Sequence, residues 1–126
     1  MLVRNCHVAP TDEEAMAEAA PAFAHQLLLF KNAALPPDLS LLPDSYAFHR
    51  EAFRAFEEPP ESFEDVVAAG LVLCGSPETV RRQLGEQIEA VGMRQVGLWF
   101  AFGNLPHAKV VRSLELFAGE VMPGLR

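Results

Sequence analysis

Residues 95–102, Gln-Val-Gly-Leu-Trp-Phe-Ala-Phe, form an almost unbroken apolar run between Gly92 and Gly103. A strand with one wet face alternates apolar and polar side chains, whereas a strand without alternation is covered on both faces, as in a parallel sheet flanked by helices. Residues 71–74, Leu-Val-Leu-Cys, make a second such run and lead directly into Gly75-Ser76-Pro77-Glu78. A glycine turn, a hydroxyl N-cap and a proline at the first helical position there predict a strand-turn-helix unit. The two runs together point to an α/β fold.

The rest of the pattern supplies helices and one more strand. Residues 2–9 read as a strand of imperfect alternation that Pro10 ends. Thr11-Asp12-Glu13-Glu14 fits a capping box, with carboxylates at the positive end of the helix that follows. Met16, Ala19, Phe23, Leu27 and Phe30 continue an apolar stripe to about Lys31, and Pro21 predicts a kink or two abutting helices near Ala20. Pro36, Pro37 and Pro43 mark an extended connection, after which Asp44 or Ser45 caps a helix carrying Tyr46, His49, Phe53 and Phe56 on one face. Ser62 opens a short helix that Gly70 closes. Val80, Leu84, Ile88 and Val91 are the inward face of the helix from Pro77, and Val110, Leu114, Phe117 and Val121 that of a final helix ending before Pro123-Gly124. The order β, helices, β, α, β, α implies right-handed crossovers.

Size and charge narrow the function. The 126 residues suffice for a single domain, 1–126. A formal net charge of −7 repels a polyanion, so nucleic acid is not expected as a partner. No apolar run approaches the roughly 20 residues of a bilayer span, and the first residues lack a secretory pattern, so the expected location is the cytoplasm. Cys6 and Cys74 sit in separate strand-like runs without metal-ligand spacing and read as small buried thiols; His7 and His25 likewise lack ligand neighbours, and no metal site is expected.

Three segments resemble one family: Cys74-Gly75-Ser76-Pro77-Glu78-Thr79-Val80, the strand ending Phe100-Ala101-Phe102-Gly103, and Arg112-Ser113-Leu114-Glu115-Leu116-Phe117-Ala118-Gly119-Glu120-Val121-Met122-Pro123. Val8-Ala9-Pro10-Thr11-Asp12-Glu13-Glu14-Ala15 adds a fourth in the same order. The family is the bacterial luciferase-like flavin monooxygenases, whose (β/α)8 barrels use reduced flavin or a deazaflavin to oxidise small organic substrates. The resemblance implies their C-terminal portion only, since a whole barrel takes about 250 residues. The expected fold is therefore α/β, a partial (β/α)8-barrel-like fragment with about three parallel strands and four to five helices.

A few strands cut from a barrel leave open edges and apolar surface, which a second copy or a complementary barrel-half polypeptide would cover; a homodimer is the expected form. By resemblance the cofactor is FMN or a related flavin, although this chain alone shows no flavin cradle. No catalytic residue is identifiable. Gly75-Ser76-Pro77 has the features of an anion site, but ordinary helix capping by Ser76 accounts for them. Asn104 and His107 follow the strongest strand, where α/β folds present ligand-facing loops, and are the candidate substrate-binding residues, against a simple turn and helix start. His49 reads as a core imidazole, and Trp99, Phe100 and Phe102 as packing or interface side chains. The leading reading is a split or truncated part of a monooxygenase, inactive alone; the alternative is a non-catalytic oligomerisation or interaction module derived from that fold.

Overall fold

The computed structural model describes residues 2–34, 38–46, 62–92 and 95–125. The expected helix bearing His49, Phe53 and Phe56 lies outside them. Within them, strands β1 (Leu2–Val8), β2 (Val72–Gly75) and β3 (Val96–Trp99) alternate with helices α1 (Asp12–Ala34), α2 (Phe63–Ala68), α3 (Pro77–Val91) and α4 (His107–Leu116). The strands form one parallel sheet in the order β2-β1-β3. The α/β class, the parallel strands and the helix number agree with the sequence reading.

Side-chain alternation in β1 and β2 divides the core in two. On one face Val72 and Cys74 join Ala15, Ala19 and Ala22 of α1 and Val66 of α2. Small alanines let α1 approach the sheet closely, and Phe102 closes this cluster from the loop after β3. On the other face Cys6, Val8 and Leu73 pack against Val80 and Leu84 of α3 and against Val121. Leu98 and Phe100 complete that side, with Phe100 edge-on to Phe117 at a ring-centroid distance of 5.3 Å.

Local chemistry sets the helix boundaries. Ser62 and Ser76 accept the Asp65 and Thr79 amides as N-caps of α2 and α3. Gly92 ends α3 at φ 61°, where a side chain would strain the backbone. Thr11 caps α1 through Glu14 N–H, but Glu14 turns to Arg112 instead of closing the reciprocal half of a capping box.

Four expectations about extent and facing are corrected. Pro21 neither splits nor ends α1, which runs unbroken through it; the residue is exposed, so its ring meets solvent. Phe30 is 47% exposed, and the buried stripe of α1 is carried by alanines further up the helix. Val91 is likewise exposed, because the chain leaves the sheet at Gly92. In α4 the inward position after Val110 is Ser113 and not Leu114, which is 44% exposed: the Ser113 hydroxyl is turned to the end of β1, where it accepts the Val8 N–H.

The apolar run of residues 95–102 is a strand only as far as Trp99. Its register on β1 ends at Asn5, because the next free donor of β1 in that direction, Val8 N–H, bonds the Ser113 hydroxyl at 2.7 Å. With that edge taken, Phe100 stays on the α3 side while Phe102 crosses to α1, so the unbroken hydrophobicity reflects two cores served in succession and not one strand covered on both faces.

Candidate functional site at the rim of the sheet

The C-terminal ends of parallel strands are where α/β folds take ligands. Here that rim is built from the end of β1, the first turns of α1 and α3, and the loop into α4. His7, the penultimate residue of β1, is fully buried and faces α1. Its Nε2 lies 2.8 Å from Oε2 of Glu18, whose carboxylate also accepts Arg112 Nη2 at 2.7 Å and Lys109 Nζ at 3.0 Å. Arg112 Nη1 reaches Glu14 at 2.8 Å. Helix periodicity explains the set: Glu14 and Glu18 are one turn apart on α1, and Lys109 and Arg112 one turn apart on α4.

Burial raises the affinity of Glu18 for its proton, but hydrogen bonds from His7, Lys109 and Arg112 outweigh it and hold the carboxyl down at about 2. Burial lowers the pKa of His7, against the opposing pull of Glu18. A neutral His7 then donates Nε2–H to an ionised Glu18, leaving Nδ1 as a lone pair without a partner among the described residues. Two carboxylates and two cations cancel, so the cluster presents no net charge to a ligand. Glu18 is too weak a base, and His7 too buried, for proton transfer to a substrate at neutral pH. The cluster clamps α4 over α1 at the end of β1.

At the neighbouring junction, Asp12 occupies the place an anion would take. Its Oδ1 accepts the Ser76 backbone N–H at 2.6 Å and its Oδ2 the Thr79 hydroxyl at 3.0 Å. The Ser76 amide holds Asp12 below the usual carboxylate range. Ser76 is thus a cap, and its turn is already filled by an internal carboxylate. Burial pushes both thiols up, Cys74 to about 12, with Asp12 and Glu18 adding to the effect on Cys74.

Asn104 and His107 are exposed, in the turn after Gly103 and at the first position of α4. No hydrogen bond or ion pair among the described residues ties either to the His7–Glu18 cluster, although His107 shares its helix with Lys109 and Arg112. The α4 junction has no side-chain cap and no acidic residue in its first turn, unlike those of α1 and α3. Sequence reasoning missed the cluster itself. Its one local signal was His7 in a strand, since a buried imidazole requires a polar partner, but nothing in the spacing identified Glu18, Lys109 or Arg112.

No family model and no curated protein matches the chain. Among solved structures it is similar to monooxygenase RslO1 from Streptomyces bottropensis, with a TM-score of 0.63 and 20% sequence identity. The match covers 98% of this chain and 30% of that one. The chain therefore shares the fold of a limited stretch of a longer protein. Among the described residues no helix is long and apolar enough to cross a membrane.

Proposed function

We propose that this chain works in the cytoplasm as the C-terminal part of a luciferase-like, flavin-dependent monooxygenase and is inactive alone. The observation that carries the reading is the likeness of nearly the whole chain to less than a third of monooxygenase RslO1. The sequence segments that resemble the luciferase-like family support it independently, because they run in family order from β1 to the end of α4.

A flavin mononucleotide would bring a phosphate that needs free backbone amides or cations. The residues present do not fit it: Asp12 fills the α3 junction, acidic side chains crowd the first turn of α1, and Arg112 and Lys109 are neutralised by Glu14 and Glu18. The flavin is accordingly held by another polypeptide that completes the barrel. This chain contributes the uncapped α4 junction, where Asn104 and His107 face a small organic substrate. The filled anion position equally favours the second reading, a non-catalytic interaction module.

A titration of flavin mononucleotide followed by its fluorescence tests the reading. Expected are no saturable quenching with the purified chain and saturable quenching when the chain is co-expressed with the product of its neighbouring reading frame. Tight binding by the chain alone overturns its dependence on a partner, and absence of binding in both arms leaves the interaction module.

A further inference from the structure

Helix α1 meets the sheet differently along its length. Its N-terminal half presents Ala15, Ala19 and Ala22, all buried, whereas its C-terminal half presents Phe23 and Leu27, which are only partly buried. The helix runs back along β1, since Glu18 reaches His7 and Gln26 reaches Asn5, so its C-terminal half lies toward the starts of the strands, away from the rim. There an open groove of about 320 Å³ separates Phe23 and Leu27 from Val3 and Trp99 on the sheet and from Leu71, just before β2. Gly97 shares a sheet face with Trp99 and adds no side chain to fill the space; a Cβ there would sit 3.4 Å from Val3 Cγ2.

The polar side chains among the described residues of this groove are Asn5 and Gln26, and none of its residues is charged. Asn5 Nδ2 donates to Gln26 Oε1 at 2.6 Å. That bond leaves Asn5 Oδ1 as an acceptor and Gln26 Nε2 as a donor, with no partner among the described residues and neither sealed in the core. Turning both amides over exchanges their roles and leaves the same complement of one donor and one acceptor. An anion entering the groove meets a chain of net charge −7 and no cation to hold it, and a cation loses its hydration without meeting a carboxylate. The chemistry that fits is neutral, with an N–H and a C=O side by side on an apolar body. The volume is at the low end of the roughly 300–1,000 Å³ of small-molecule sites and suits a single ring.

We propose that this groove binds a small, uncharged aromatic carboxamide, with its ring against Phe23 and Trp99 and its amide N–H and C=O paired with Asn5 Oδ1 and Gln26 Nε2. The site is separate from Asn104 and His107 at the α4 junction. It is independent of the flavin reading, and its test uses no flavin.

Trp99 is the sole tryptophan and lines the groove, so intrinsic fluorescence reports its occupancy directly. The probe is benzamide, expected to give a saturable change in emission with half-saturation at about 1 mM, the range for so small a ligand. Benzoate and benzylammonium carry the same ring with a charge and are expected to bind at least about tenfold more weakly. Gln26→Leu removes one of the two hydrogen bonds and is expected to weaken benzamide by about tenfold while leaving toluene, which has no amide, unchanged. Val3→Phe fills the groove from a half-exposed position and is expected to abolish the response to both, with the far-UV circular dichroism unchanged. Absence of a saturable response to benzamide overturns the proposal. So does benzoate binding as tightly as benzamide, or benzamide binding that both variants leave intact.

Discussion

Glu18 illustrates how one carboxylate organises residues far apart in the chain. It is held by His7 from β1 and by Lys109 and Arg112 from α4, and its side chain is only 9% exposed. Replacing it by Gln leaves two cations without their shared counter-charge, for an expected loss of about 3 kcal/mol by urea unfolding. Glu14→Gln is expected to cost under about 1 kcal/mol in the same assay, because Glu14 and Arg112 meet at a largely wet surface. Cys6 and Cys74 make the opposite point: burial keeps both protonated, so a disulfide-exchange reagent is expected to label neither in the folded protein and both in denaturant. Sequence reading found the thiols because strand position and small size are local properties. It missed Glu18 because the partners are separated by 11 and 94 positions, and only the packing of α1 and α4 over β1 joins them.

Among the elements, the unit from β2 through the Ser76 cap to Gly92 was legible almost residue by residue, since each signal acts within one turn of the chain. The length of β3 and the phase of α4 were not, because tertiary partners decide both. The Ser113 hydroxyl takes the donor that a longer β3 would have used, so Ser113→Ala both strands Val8 N–H and removes the tie from α4 to β1. The expected cost is about 2 kcal/mol in denaturant unfolding. Gly103 is the second point where α4 is set. It has φ 57°, and an added Cβ would sit 1.8 Å from the Ala22 carbonyl oxygen of α1. Gly92, at φ 61°, has open space around its missing Cβ. The pair separates backbone strain from close approach: Gly92→Ala is expected to cost about 1 kcal/mol and Gly103→Ala about 3 kcal/mol or more. Equal losses in thermal unfolding would mean that the approach of the loop to α1 contributes nothing.

For the molecule as a whole, the titrating groups at the rim make stability fall on the acid side, and the sign follows group by group. His7 has an ordinary value of 6.5 in the unfolded chain and a lower one when buried, so below 6.5 the unfolded state binds the proton first and gains relative to the folded one. Its contribution is full above 6.5 and lost as pH falls through the lowered folded value. Glu18 behaves alike in a lower window, with its contribution full above 4.5 and lost as pH falls to about 2. The urea midpoint is therefore expected to fall below about pH 6.5 as His7 is protonated in the unfolded chain, and to fall again below about pH 4.5 through the Glu18 window. Glu18→Gln separates them: the decline between pH 4.5 and 2 is expected to flatten, while the His7 portion persists because burial of the imidazole causes it. Trp99 on β3 is half exposed and reports on the sheet as the rim unfolds. Trp99 emission and the far-UV signal should then change together. If the emission shifts well above the pH at which the far-UV signal changes, β3 and the rim are uncoupled, and the clamp of α4 over α1 does not support the sheet at β3.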